Sequence, residues 1–135
     1  MADDFLLFAE EIERQIELYR EGACSVTFNQ GLLRSCVSRA YYASFLYARR
    51  ITSIERTMLK KGENVHIKVI EKLREMNMPI ADLLYRLRKK RNRADYSLVF
   101  TTRPKDAIWA VKTAKRIVQI IKNSYSNVLK QNKFT

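Results

Sequence analysis

Leu33-Arg34-Ser35-Cys36-Val37-Ser38-Arg39-Ala40-Tyr41-Tyr42-Ala43-Ser44-Phe45-Leu46-Tyr47 is the stretch that decides the fold. Leu33, Val37, Ala40, Ser44 and Tyr47 recur at alternating steps of four and three residues, and Ile51, Ile54 and Met58 continue the rhythm. That period keeps one stripe of an α-helix against a neighbour, as in a helical bundle. The spacing predicts a long helix from about Thr27 to Lys60. Cys36, Ala43, Phe45 and Leu46 widen its apolar arc, so it is expected to touch neighbours on more than one side. Ser35, Ala40, Ala43 and Ser44 are small enough to let another helix come close.

Working outward, Phe5, Phe8, Ile12, Ile16 and Tyr19 mark an earlier helix from about Asp3 to Glu21, with its acids on the opposite face and Gly22 as its stop. After a break at Gly62-Glu63-Asn64, with Asn64 a candidate cap, Val69, Ile70 and Leu73 mark a short helix from Val65 to Met76. Pro79 stands near the start of a fourth helix, where its missing N–H is harmless; Ile80, Leu83, Leu84 and Leu87 form its apolar stripe. A loop at 97–103 leads to Pro104 and a last helix with Ala107, Ala110, Val111, Ala114, Ile117, Val118, Ile121, Tyr125 and Val128 inward. The reading is all-α: five helices, four of them long enough for an antiparallel bundle. Residues 1–130 are expected to form one domain and 131–135 a frayed tail.

Gly22, Gly31, Gly62, Pro79 and Pro104 are the only glycines and prolines in 135 residues. An all-β chain needs more turn signals than that. Cys24 and Cys36 lie among small or apolar neighbours and read as reduced packing residues. With His66 the sole histidine, no zinc-type ligand set exists, and neither a metal nor another cofactor is expected. The acidic start is unlike a secretory signal, and no apolar run approaches a membrane span, so a cytoplasmic protein without membrane association is expected. The net charge is +12. Asp3, Asp4, Glu10, Glu11, Glu13, Glu17 and Glu21 make the first helix acidic, which concentrates the cations in the remainder. Such a balance favours polyanionic partners, nucleic acid above all.

The apolar stripe of the fourth helix, carried on in four-residue steps from Leu87, meets Arg91 and then Asp95. A permanent charge aimed at a bundle interior costs several kcal/mol unless it is paired or wet. Arg91 and Asp95 therefore mark a cleft, an interface or a compensated ion pair. On the second helix Ser35, Ser38, Arg39 and Tyr42 make a polar strip that is expected to line the same cleft. The run Arg86-Leu87-Arg88-Lys89-Lys90-Arg91-Asn92-Arg93, with Arg103 close behind, supplies candidate phosphate or RNA contacts in Arg88, Lys90, Arg93 and Arg103 beside Arg39. Part of that run must simply be solvated, because it cannot lie on one helical face. His66 falls in the first turn of the third helix, where the helix dipole disfavours its charged form; it is either a proton acceptor or a packing residue. Tyr41, Tyr42, Phe45 and Tyr47 read mainly as core.

Ser38-Arg39-Ala40-Tyr41-Tyr42-Ala43-Ser44-Phe45 resembles the Ser-Arg-Ala-Tyr-Tyr-Ala-x-Phe helix of small stand-alone HEPN proteins. Arg91-Asn92-Arg93-Ala94-Asp95-Tyr96 resembles the Arg-x-x-Ala-Asp-Tyr segment of the same group, and His66 matches a position where that group often has histidine. The resemblance covers nearly the whole chain. It implies a four-helix up-and-down bundle with an additional short helix, a homodimer formed across the motif helix, and a place in an RNA-directed stress, defence or toxin–antitoxin module. Catalytic members cut RNA without metal, using an arginine followed four to six residues later by a histidine. By that logic Arg91, Asn92, Asp95 and Tyr96 form the site, with His66 as a further candidate. Here Tyr96 stands where the histidine would be, and a tyrosine, with an ordinary pKa near 10, is a poor general base at neutral pH. It can still donate a hydrogen bond to phosphate. Two expectations follow: a metal-independent endoribonuclease, or a non-catalytic module binding RNA or nucleotide beside a small nucleotidyltransferase. A structural dimer whose charge only aids solubility is the plainest alternative.

Overall fold

The computed structural model describes residues 2–20, 30–97 and 101–131, with Tyr19, Arg20 and Gln131 described in backbone only. The expected stop at Gly22, the packing role of Cys24, the first residues of the second helix, residues 98–100 of the loop, the inward ring of Tyr19 and the tail beyond 131 lie outside the described residues. Within them the chain is all-α, with six helices: α1 (Ala2–Arg20), α2 (Gln30–Thr52), α3 (Val65–Met76), α4 (Met78–Tyr96), α5 (Pro104–Ser124) and α6 (Ser126–Gln131).

The rhythm that begins at Leu33 puts α2 at the centre, where it touches all the other helices. Leu33, Cys36, Val37, Ala40, Tyr41, Ala43, Ser44, Phe45, Tyr47, Ala48 and Ile51 are buried around its circumference, and its small residues let α1 and α5 approach. The helix stops at Thr52, short of the expected Lys60. Ser53 takes a left-handed backbone conformation (φ 57°) and donates its N–H to Arg49 O at 3.0 Å, which is how many helices end. Thr52 Oγ1 donates to the same Arg49 carbonyl, and the Arg49 guanidinium donates to Ile54 O. The seam breaks accordingly: Ile54 still packs on the core, whereas Met58, in a short 3-10 turn at Arg56–Met58, is 60% exposed.

Asn64 caps α3 as expected, its Oδ1 accepting from His66 N–H at 2.8 Å. Asn77 serves two helices: its N–H closes α3 on Leu73 O, and its side chain accepts from Ile80 N–H at the start of α4. On α4, Ile80, Ala81, Leu84 and Leu87 are fully buried, each large side chain worth about 1.5–3 kcal/mol when removed from water. Gln30 exchanges two hydrogen bonds with the backbone of Thr102, at 2.7 and 2.9 Å, and ties the start of α2 to the approach to α5.

Two further expectations need correction. The last helix breaks at Tyr125, whose hydroxyl reaches Met76 O, because the Asn-Ser-Tyr-Ser-Asn stretch has weak helix propensity; Val128 therefore belongs to α6. On α1 the buried stripe is Leu6, Ala9, Ile12 and Ile16, with Glu13 among them at 8% exposure. Glu13 lies against α5, where Lys115 Nζ is 3.7 Å away, and burial raises its pKa. Phe5 and Phe8 are only half-buried. No described helix is long and apolar enough to cross a membrane.

Candidate phosphate-binding site

The α4 stripe ends as its spacing requires. Leu87 is fully buried, and one turn on Arg91 is 8% exposed. Its guanidinium is held from several sides. Nη2 donates to Tyr42 Oη at 2.5 Å and reaches Tyr96 Oη at 3.4 Å. Nη1 donates to Asn92 Oδ1 at 3.2 Å. Nε lies 2.9 Å from Asp95 Oδ2, a close charge–charge contact without the alignment of a hydrogen bond. Ser38 donates to the same carboxylate oxygen at 3.2 Å. The rings of Tyr42, Tyr96 and Tyr41 surround the guanidinium carbon at 4.9, 5.3 and 5.7 Å. Their π faces stabilise the cation without neutralising it.

Two clefts meet at Tyr42. One, of about 500 Å³, is lined by Tyr42, Asn64, His66, Arg88, Arg91, Asn92 and Tyr96. The other, of about 570 Å³, holds the polar strip of α2: Ser35, Ser38, Arg39 and Tyr42, with Phe5, Arg34 and Asp95. The strip and Arg91 are thus neighbours across a shared wall, with the Arg91–Asp95–Ser38 bridge between them. Arg39 turns toward α1, its guanidinium carbon 4.2 Å from the Phe8 ring centre.

His66 enters the Arg91 pocket because the Asn64 cap fixes the first turn of α3 there. Its ring stacks on Phe45 at 4.2 Å, and Nδ1 is 2.7 Å from Tyr41 Oη. Burial, with the nearby charges of Arg88, Arg91 and Arg56, pushes its pKa down to about 4. At neutral pH the ring is therefore uncharged. Burial pushes the Tyr41 phenol above its usual range. Sequence spacing could not reveal the Tyr41–His66 contact, because the partners sit on different helices and Tyr41 reads as core.

The expected basic set divides. Arg88 lines the Arg91 pocket, but Lys90, Arg93 and Arg103 do not. Lys90 and Arg103 converge instead on Asp106, at 3.0 and 3.2 Å. Arg103 N–H donates to Asp106 Oδ2 at 2.9 Å, which caps α5. Arg93 lies with Arg86, Lys89 and Trp109 on the outer side of α4. The reason is angular: residues one apart on a helix point about 100° apart, so Lys90 and Arg91 cannot share a cleft. Burial alone would raise the Asp106 pKa, but hydrogen bonds from the Arg103 side chain and backbone and from Lys90 outweigh it and hold the carboxyl at about 2. Among the described residues no three His, Cys, Asp or Glu gather in a metal-binding group.

An all-helical bundle with a tyrosine-walled cationic pocket at the end of one helix is the class that fold and geometry define. The HEPN domain family model matches residues 22–124, and the chain belongs to the HEPN family. No curated protein and no solved structure matches it.

Proposed function

We propose that this HEPN protein binds RNA, seating a backbone phosphate in the pocket formed by Arg88, Arg91, Asn92 and Tyr96. The observation that carries the reading is Arg91, a buried guanidinium walled by aromatic rings, with Arg88 in the same pocket and Asp95 as its one carboxylate contact among the described residues. Two cations against one acid leave a positive field inside a shielded recess, where it acts more strongly than in open water. Arginine's planar fork suits phosphate oxygens, and Tyr96 and Asn92 offer hydrogen bonds beside it. The net charge of +12 favours a polymer over a lone nucleotide. As a binding module the chain would act as a homodimer in a stress or defence system, with a small nucleotidyltransferase as a candidate partner. Titration of a labelled single-stranded RNA tests the reading. Arg91→Ala and Arg88→Ala are expected to weaken binding at least about tenfold. An Arg91→Ala protein that stays folded and binds as tightly as wild type overturns it.

A second reading, metal-independent cleavage, is favoured by the presence of His66 in the same pocket. The ribose 2′-oxygen would attack phosphorus and expel the 5′-oxygen, leaving a 2′,3′-cyclic phosphate and a 5′-hydroxyl. Arg88 and Arg91 would stabilise the phosphorane. The 2′-hydroxyl proton needs a base and the leaving oxygen needs a proton, and a histidine with a pKa of about 4 is ill matched to either task at pH 7. Binding without efficient cleavage therefore leads. RNA incubated in EDTA with wild type, Arg91→Ala and His66→Ala decides: cyclic-phosphate ends lost in both variants would replace it with the nuclease reading.

A further inference from the structure

The outer face of α4 and α5 carries a second constellation, separate from the Arg91 pocket. Arg86, Lys89, Lys90, Arg93 and Trp109 line a groove of about 200 Å³ between the two helices. Trp109 is only half-buried, and Lys90 Nζ stands 5.7 Å from its ring centre. Tyr85, 41% exposed, lies one turn before Lys89, whose ammonium is 5.0 Å from the phenol ring. Lys105 and Arg116 fall four residues before and seven after Trp109 and share its helical face. Asp95 and Asp106 are the only acids between Leu83 and Ile121. Asp95 faces the other side with Ser38 and Arg91, and Asp106 is buried under Lys90 and Arg103. Asp82, one turn before Arg86, lies 3.8 Å from Arg74, so the face remains cationic, with two aromatic rings set into it.

We infer that this groove is a second nucleic-acid contact, a track for single-stranded RNA in which a base stacks on Trp109 while Arg86, Lys89 and Arg93 take the flanking phosphates. Part of the Trp109 ring packs against the core, but the remainder lies among cations, and charge alone would serve solubility without an accessible ring there. Unstacked bases are what an aromatic platform between cations recognises, whereas a duplex hides its base faces. Lys90, pinned by Asp106, is committed to the start of the last helix and is not counted among the phosphate contacts. The inference rests on the reading that the ligand is RNA. It assigns the track the task of gripping the strand at a point away from the Arg91 pocket.

Trp109 is the only tryptophan in the chain, so intrinsic tryptophan emission reports on this groove alone. Titration of oligouridine into the full-length protein is expected to quench that emission. Heparin, a polyanion without bases, is expected to leave it unchanged. Arg86→Glu with Lys89→Glu, two exposed positions remote from the core, is expected to weaken binding about tenfold or more at low salt and to make the salt slope shallower by about 1.4, two phosphates' worth. Trp109→Ala is expected to lose about fivefold or more in affinity, with Trp109→Phe retaining most of it. Arg91→Ala is expected to bind more weakly yet still quench. Unchanged emission at saturating oligouridine, equal quenching by heparin, or wild-type affinity in the charge-reversed protein overturns the track and leaves the pocket reading standing. Wild-type affinity in Arg91→Ala alongside loss in the charge-reversed protein keeps the track and removes the pocket.

Discussion

Asp106 and Arg91 are both buried charges at the ends of helices, and they are treated in opposite ways. Asp106 is over-satisfied: a backbone N–H, the Arg103 guanidinium and Lys90 all converge on it. Arg91 is under-neutralised, with Asp95 its one carboxylate among the described residues, a second cation in its pocket, and aromatic rings for walls. A charge whose partners outnumber it fixes structure, here the start of α5. A charge that is shielded from water but left positive is available to a ligand. The contrast separates two neighbouring residues, Lys90 and Arg91, that composition alone would count as one basic run.

The sharpest way to break this comparison is to remove each charge and read both binding and stability. Arg91→Met is expected to lower RNA affinity about tenfold to a hundredfold while changing unfolding free energy by less than about 1.5 kcal/mol, since the volumes are similar and Asp95, 25% exposed and accepting from Ser38, keeps water and a hydrogen bond when the guanidinium goes. Asp106→Ala is expected to do the reverse: about 2–3 kcal/mol lost in urea unfolding, through a missing cap and two stranded cations, with affinity little changed. The comparison fails if Arg91→Met unfolds the protein or Asp106→Ala loses the RNA.

The two centres also differ in pH response. The Asp106 pKa is depressed, so its stabilisation is complete above the ordinary 3.8 and is lost as pH falls through about 2. His66 is a base with a lowered pKa, so between about 4 and 6.5 the unfolded chain binds the extra proton. Stability should therefore rise with pH across that window, by about 2 kcal/mol for this half-buried ring, and His66→Phe should flatten the rise in thermal melts. His66 is the only histidine, so one imidazole NMR signal follows it. Saturating inorganic phosphate, by offsetting Arg88 and Arg91, is expected to move its midpoint upward; an unmoved midpoint would mean that the anion binds elsewhere. The smallest effect belongs to Tyr96, 70% exposed and 3.4 Å from Arg91 Nη2. Tyr96→Phe should cost about threefold in RNA affinity, measured in the same titration, with no change in melting temperature.

What was legible in the sequence follows from what is local. The step from Leu87 to Arg91 lies on one helix, so periodicity alone placed a charge at the edge of the core. Asn64, Pro79 and Pro104 act within a turn of where they stand, and they mark helix starts as expected. The end of α2 was not legible, because Ile54 and Met58 keep the seam's spacing while Ser53 turns the backbone. The site was legible in part: Arg91, Asn92, Tyr96 and Arg88 come together, but the role of His66 depends on packing between α2, α3 and α4. Glu13 on the buried side of α1 was equally hidden, since its partner Lys115 lies far along the chain.

Asn77 closes α3 and opens α4 with no residue to spare between them. The pocket takes His66 from one of these helices and Arg88 and Arg91 from the other, so its dimensions are governed by a joint that contains none of its chemistry. Inserting one alanine after Asn77 would turn α4 by about 100° and advance it by about 1.5 Å relative to α3. The rotation would carry the guanidinium away from the imidazole while leaving every side chain of the pocket chemically intact. In this protein the spelling of a joint is as much a determinant of the pocket's shape as the residues that line it.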